Sequence, residues 1–245
     1  MSSLQLIKNI YRAFLGLSLL GLGLVPLLVL KSTASLTWFP WRLQIVGGIF
    51  ISICLLGIVA ALSPVSCQTK KISHSTLDKI VNNRKISNNQ PSISIRGHHP
   101  TCGHYSAHVF HIRGKIYCTG CTGLATGALV AITGSFLYFF LEFPLFNPTL
   151  IFWGGFLGVT VGLLQHPLYD FLKIKKSIVR VFVNILFVIG AFLLLVGVDY
   201  FVREIIIDLY ILAMIVFWIL SRIFLSKLSH RKICLACGLE SCQFS

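Results

Sequence analysis

The sequence has very few charged side chains, and few of those are acidic. Asp, Glu, Lys and Arg make up 11% of the 245 residues, and only 7 of them are Asp or Glu. A soluble domain carries about 25% charged residues, so this chain could not cover its surface in water. Because 56% of the residues are hydrophobic, most of the surface must face lipid, and a soluble globular protein is excluded.

Several signatures of enzymes and transporters are also absent. The sequence contains no HExxH protease box, no phosphate-binding P-loop and no glycine fingerprint for dinucleotides. No line of acidic and basic residues crosses the apolar runs, as a proton- or ion-coupled transporter would need. The basic residues fall between apolar runs and do not gather on one folded domain, so no specific nucleic-acid partner is expected.

Long apolar runs are the main feature of the chain. A membrane helix needs roughly 20 apolar residues to cross about 30 Å of hydrocarbon. Six runs are candidates, at residues 9–30, 43–62, 122–143, 150–165, 178–201 and 205–225, of which the fourth is short. The first is too long for a cleaved signal peptide and is interpreted as a retained anchor. The predicted fold class is all-α, an integral membrane bundle of about six transmembrane helices with a small cytoplasmic Cys/His metal-binding segment.

The basic residues predict how these helices are oriented. With six crossings, 18 of the 21 lysines and arginines fall on one side, which should be the cytoplasmic side of the cell membrane. Both termini lie on that side. The chain then divides into a two-helix transmembrane unit (1–63), a cytoplasmic basic linker with a Cys/His motif (64–121), a four-helix transmembrane region (122–225) and a cytoplasmic Cys-rich tail (226–245).

Metal-binding side chains are concentrated in one polar stretch, RGHHPTCGHYSAHVFHIRGKIYCTGCTG, at residues 96–123. His99 and Cys102 form one pair with two residues between them. After fifteen intervening residues, Cys118 and Cys121 form a second pair. Two pairs at this separation are typical of a zinc site, with His in place of the first Cys. Three cysteines and one histidine make a closed tetrahedral zinc shell. In a reducing cytosol disulfides are disfavoured, which also favours metal.

The tail contains a second set of candidate ligands, namely His230, Cys234, Cys237 and Cys242. Its CLACG sequence has the form of a knuckle, in which the glycine eases a turn around the metal. The tail could form a second shell of the same ligand type, or it could hold idle thiols. The two Cys-x2-Cys pairs could instead share one all-cysteine site. Two sites are slightly favoured, because each stretch contains four candidate ligands by itself.

The other histidines of interest are weaker candidates: His98, His104, His108, His111 and His166. The middle three are spaced i, i+4, i+7 and would share one face if the segment were helical. That face could be an open metal site or the polar side of an interfacial helix. His98 could replace His99 as a ligand or support it, and His166 lies at the cytoplasmic end of the fourth run.

Small and polar residues inside the apolar runs also predict contacts within the bundle. Gly154, Gly158 and Gly162 form a double GxxxG ridge, for which internal packing is the ordinary interpretation and homodimerisation the alternative. Asn184 is expected to make an interhelical hydrogen bond. Local charge pairing at the outer end of the last two helices is expected among Asp199, Arg203, Glu204 and Asp208.

Residues 98–127 resemble an uncharacterised prokaryotic family of small multi-pass membrane proteins. The family signature runs Cys-His, an intervening stretch with a glycine, then Cys-x2-Cys-x-Gly entering a helix with another glycine four residues on. Its second half is matched by Cys118, Cys121, Gly123 and Gly127. In the first half this chain has HHPTC, residues 98–102, in place of the Cys-His pair. The resemblance implies a membrane location and a shared cysteine motif, but no reaction.

These features predict a multi-pass membrane protein whose cytoplasmic face binds metal through the Cys/His clusters. The expected metal is structural Zn²⁺. Its role would be scaffolding, binding a cytoplasmic protein partner or sensing the metal, with the lipid bilayer as its permanent surroundings. The rival interpretation is a membrane enzyme. It would be an oxidoreductase that uses Cys-x2-Cys or an iron–sulfur cluster, or an iron or other metalloenzyme that uses the three spaced histidines at 104, 108 and 111.

Overall fold

The structure is a computed structural model that describes residues 3–31, 40–62, 109–112, 115–144, 147–172 and 176–237. Within these ranges it describes all side chains except those of residues 3, 4, 6–8, 111, 112, 115, 116, 166, 170–172 and 230–237. The elements of the described ranges, in chain order, are α1 (Ser3–Lys31), α2 (Arg42–Leu62), β1 (Val109–Ile112), β2 (Lys115–Cys118), α3 (Thr119–Phe139), α4 (Pro148–Leu163), α5 (Gln165–Leu172), α6 (Ser177–Val202) and α7 (Ile205–Cys237).

Five helices of the described ranges are long and apolar enough to cross a membrane. They are residues 9–31 of α1, all of α2, α3 and α6, and residues 205–229 of α7. The helix α4 is apolar but has 16 residues, which at 1.5 Å per residue is about 24 Å and falls short of the hydrocarbon core. The predicted all-α multi-pass bundle is therefore confirmed, whereas a sixth crossing by α4 stays a prediction.

The central helix of the bundle is α6, which packs against α3, α4 and α7. It runs parallel to α3, because Gly123 lies against Val181 and Gly134 lies against Phe192. The helix α7 returns antiparallel to α6 after a two-residue link, and α1 packs antiparallel to α7. The starts of α1, α3 and α6 and the end of α7 therefore lie at one end of the bundle. We call it the strand end, because β1 and β2 lead into α3 there.

Small residues allow α4 to pack closely on α6. A side chain at Gly155 would collide with the backbone of Leu194, and a Cβ at Gly158 would lie 3.0 Å from the Cα of Gly190. Lipid provides no hydrophobic force between helices, so van der Waals packing at such short backbone distances has to hold them together. The glycines of α4 thus fix the position of the short helix against the centre of the bundle.

The predicted GxxxG ridge serves this internal packing at two of its three positions. Gly158 and Gly162 are buried against α6, which confirms the ordinary interpretation for them. Gly154 is exposed, and a Cβ there would meet nothing within 4 Å. The homodimer through this ridge stays a prediction, and of its three glycines Gly154 is the exposed one.

The ends of α4 follow from its sequence. The side chain of Asn147 accepts a hydrogen bond from the Leu150 N–H at 3.1 Å, and Pro148 occupies the first turn, where its missing N–H costs nothing. At the other end, Pro167 cannot donate to the carbonyl of Leu163 four residues earlier. The helix stops there, and α5 begins after a single intervening residue, Leu164.

An ion cluster closes the end of the bundle opposite the strands. The Nη1 of Arg42 lies 2.6 Å from an oxygen of Asp199 and 2.7 Å from an oxygen of Asp208. The hydroxyl of Tyr138 donates to the second oxygen of Asp199 at 2.7 Å. The cation in direct contact with both carboxylates is the distant Arg42, while the predicted local partner Arg203 is exposed and acts on Asp199 through its charge. The cluster joins α2, α3, α6 and α7.

The close packing of α4 can be tested with two adjacent glycines. Gly155→Ala is expected to lower the thermal unfolding temperature of the detergent-purified protein, since overpacking costs about 1–3 kcal/mol. Gly154→Ala should leave it unchanged or raise it slightly, because the methyl group has open space and alanine favours helix. Circular dichroism during heating measures both. Equal unfolding temperatures for the two variants would contradict the packing described here.

Candidate functional site

A two-stranded antiparallel hairpin leads to the predicted thiol pair. In its register Val109 pairs with Cys118, and the rings of Phe110 and Tyr117 stack across the strands with centroids 5.7 Å apart. Cross-strand aromatic pairs of this kind stabilise a short hairpin, and β-branched and aromatic residues favour strands. The second strand ends at Cys118, and α3 begins at the next residue, Thr119.

The strand β1 changes the interpretation of the spaced histidines. His111 lies on this strand, so the helical face predicted for the three histidines is wrong at that position. Residues on one face of a strand are separated by two, not by three or four, and the i, i+4, i+7 grouping does not apply there. His104 and His108 lie outside the described residues.

The hairpin is attached to the start of the central helix. The hydroxyl of Ser177, the first residue of α6, donates to the carbonyl of Val109 at 2.8 Å. On the other side of the thiol pair, a Cβ at Gly123 would collide with the carbonyl of Val181 and the Cβ of Asn184. Both the entry to the hairpin and the first turns of α3 are thus held by α6.

Cys118 and Cys121 occupy the junction between β2 and α3. Cys118 has an extended backbone as the N-cap residue of α3 and is buried, whereas Cys121 lies in the first helical turn and is half-buried. No disulfide involves any of the cysteines whose side chains the structure describes. The first turn of a helix favours negative charge, and the thiolate is the form of cysteine that binds metal. The junction can therefore contribute two thiolates to a metal ion.

The predicted tail ligands lie on the last part of α7. This helix is continuous to Cys237, beyond the predicted end of the last run at residue 225. His230, Cys234 and Cys237 are therefore helical, and the predicted knuckle turn is wrong for residues 234–237. Measured from the level of Asn184 and its hydrogen-bond partner Arg222, α7 extends beyond the start of α6 by roughly 12 Å.

The strand end thus carries part of both predicted ligand sets. Cys118 and Cys121 lie close in sequence at the junction, and the helical part of the tail set reaches the same end of the bundle. The side chains of His111, His166 and the helical tail residues are not described. Outside the described residues lie His98, His99, Cys102, His104, His108 and Cys242. Among the side chains that are described, no three His, Cys, Asp or Glu groups converge on one point, so the metal shells stay predictions.

A second polar site at this end is centred on Arg222 of α7, which is 7% exposed. Its Nη2 donates to the side-chain oxygen of Gln165 at 2.7 Å and to that of Asn184. The guanidinium carbon lies 4.1 Å from the centre of the Phe187 ring. The interhelical hydrogen bond predicted for Asn184 is confirmed, and its donor is Arg222.

Tyr169 and Arg180 lie beside this group. The guanidinium carbon of Arg180 is 4.7 Å from the centre of the Tyr169 ring. Burial raises the pKa of the Tyr169 phenol, and this outweighs the opposite effect of the positive charges on Arg180 and Arg222. The hydroxyl is therefore a protonated donor at neutral pH. We refer to Arg222, Arg180, Tyr169, Asn184 and Gln165 as the arginine cluster.

The sequence contains a signal for the arginine cluster, but counting basic residues on each side of the membrane does not reveal it. In the count of basic residues, Arg222 is one of the 18 on the cytoplasmic side and indicates only the orientation of the last helix. It is nevertheless flanked by apolar residues in ILSRIFL, and an arginine surrounded in this way is expected to face the interior of a bundle. The polar side chains of Asn184 and Gln165 at the same end are the matching signal on other helices.

No family model, curated protein or solved structure matches the chain. The resemblance of residues 98–127 to the prokaryotic membrane family therefore stays a prediction.

The predicted orientation can be tested through Cys121, which is half-buried at the strand end. In a variant that retains only this cysteine, a membrane-impermeant maleimide should label the protein after the membrane is opened but not in intact cells, because the basic side is expected to be cytoplasmic. Arg203→Cys in an otherwise cysteine-free chain is the matched control, since Arg203 is exposed near the opposite end. It should be labelled in intact cells. The reverse pattern would contradict the predicted orientation.

Proposed function

We propose that the protein is a membrane scaffold that binds a structural zinc ion at its cytoplasmic strand end. The ordered end would dock a cytoplasmic protein partner or respond to the metal. The observation that supports this is the position of Cys118 and Cys121, two thiols within one helical turn on a junction held by α6. Zinc prefers thiolate and imidazole ligands in tetrahedral geometry, and a fixed pair reduces the conformational freedom lost on binding.

The remaining ligands of the first shell would be His99 and Cys102. Two pairs with this spacing fill all four positions of a tetrahedral ion and leave none for a substrate or water. A closed shell of this type stabilises structure and does not activate a nucleophile, which is why a scaffold is preferred to a metalloenzyme. Binding would also order the segment that precedes β1, because a metal site formed on folding contributes its binding energy to the fold.

The tail would contribute a second zinc shell or complete a shared one. Its proposed ligands are His230, Cys234, Cys237 and Cys242. The length of α7 beyond the start of α6 supports either arrangement, since the helical tail reaches the same end of the bundle as the thiol junction. In a shared site Cys118 and Cys121 would join the Cys-x2-Cys pair of the tail, and the zinc would connect the last helix to the third.

Metal content in three proteins tests this function. Detergent-purified wild type is expected to contain about one or two zinc ions per chain, and Cys118→Ser/Cys121→Ser should contain about one fewer, because serine is a poor zinc ligand. Cys54→Ser is the matched control, as Cys54 is buried within α2 and should not change the content. Elemental analysis by mass spectrometry gives each number.

Zinc-free wild type, or a double variant that keeps all of its zinc, would contradict the scaffold proposal. Iron with visible absorption would favour the redox enzyme. A metal-free protein with a disulfide between Cys118 and Cys121 would favour thiol–disulfide exchange.

A further inference from the structure

Arg222 is a buried cation whose described partners are all uncharged. A guanidinium stays protonated in proteins, and an unpaired charge inside a membrane bundle is costly. Gln165 and Asn184 give it neutral oxygens, and Phe187 gives it a ring face. Within the described side chains, both ion pairs belong to Arg42 at the opposite end, and no carboxylate pairs with Arg222. The positive charge therefore lacks an anion in the described part of the chain.

Two donor groups at this place are also unused by the described residues. The Nη1 of Arg222 and the hydroxyl of Tyr169 are both buried and make no hydrogen bond there. The two residues are each 7% exposed, and the charge of Arg222 acts on the Tyr169 phenol. A buried donor without an acceptor is destabilising, so two of them at one positively charged place indicate a missing acceptor.

We propose that the arginine cluster binds a phosphate oxyanion, with Arg222 and Tyr169 as donors and Arg180 as a further positive charge. The planar guanidinium matches the geometry of phosphate oxygens. Arg180 lies in the first turn of α6, whose N-terminus adds its own preference for an anion. The phosphate comes from a phospholipid headgroup of the adjacent leaflet or from free phosphate in solution.

The position of the arginine cluster fits a group at the edge of the bilayer. Tyr169 and Gln165 lie on α5, the short helix that follows the membrane run α4 at the strand end. Arg180 belongs to the beginning of a helix that crosses the membrane. Phosphates lie at this depth in a bilayer, just outside the hydrocarbon core, and basic pockets between helices on the cytoplasmic side bind lipid headgroups.

Binding can be measured on the detergent-purified protein with two probes. The first is phosphatidylglycerol added to the detergent and followed by native mass spectrometry, and the second is inorganic phosphate followed by calorimetry. At least one probe should bind the wild type. Arg222→Gln should weaken that binding about tenfold or more, which corresponds to the loss of a hydrogen bond to a charged group. Arg203→Gln, an exposed arginine at the opposite end, is the matched control and should bind like the wild type.

The two probes distinguish the sources of the phosphate. Loss of phosphatidylglycerol binding alone in Arg222→Gln identifies a headgroup site. Loss of inorganic phosphate binding, with competition between the two probes, identifies a site for the free anion. The proposal is overturned if neither probe binds the wild type, or if Arg222→Gln and Arg203→Gln bind equally well.

Tyr169→Phe provides a second test that does not remove the buried cation. The variant keeps the ring beside Arg180 and loses only the hydroxyl, so the fold should be retained while binding weakens about fivefold. Unchanged binding in Tyr169→Phe contradicts the assigned role of the hydroxyl.

A further variant tests whether the chain itself provides the anion. Asp170 follows Tyr169 in the sequence, and its side chain lies outside the description. If only Asp170→Asn binds the probes and the wild type does not, the counter-ion is internal and the proposal is wrong. Binding by the wild type supports the proposal.

Discussion

A charged side chain buried between membrane helices has no water around it, so the protein or a ligand must provide its partners. Two arginines of the described residues, the buried Arg222 and the half-buried Arg42, meet that requirement differently. Arg42 has two carboxylates, one of them further bound by Tyr138, and together they join four helices at the end opposite the strands. Arg222 has only neutral oxygens and a ring among the described residues. Among the described residues, the charge of Arg42 is therefore matched by carboxylates of the bundle, while the charge of Arg222, at the same end as the predicted metal ligands, is not.

The start of α6 connects the features of the strand end. Ser177 holds the hairpin, Arg180 lies beside Tyr169, and Asn184 accepts from Arg222. The same turns of α6 pack closely against α3 at Gly123, two residues after Cys121. Among the membrane-spanning helices of the described ranges, α6 is also the most buried. The thiol junction and the arginine cluster therefore have a common support, although they are proposed to bind different ligands.

Hydropathy and charge were enough to predict the helices, but not the contacts between them. The long apolar runs correspond to α1, α2, α3, α6 and α7, since lipid leaves a spanning chain few alternatives to helix. The histidine spacing favours a helix over this stretch, whereas VFHI and KIYC have a strand preference, and the structure follows the strand preference. The helix α7 is longer than the last apolar run, because its charged residues after 225 mark the membrane boundary but do not stop a helix. No glycine or proline occurs between residues 225 and 238. The partner of Asp199 could not be predicted from the sequence, because Arg42 is far away in the chain and only the packing of α2 brings the two residues together.

The proposed scaffold depends on the thiols of the strand end holding zinc in a closed shell. X-ray absorption at the zinc edge of the purified protein tests it most directly, since it reports the identity and distance of the bound atoms. We expect about four ligands, with sulfur at about 2.3 Å and nitrogen at about 2.0–2.1 Å. A shell of oxygen atoms alone, or a nitrogen shell without sulfur, would contradict it.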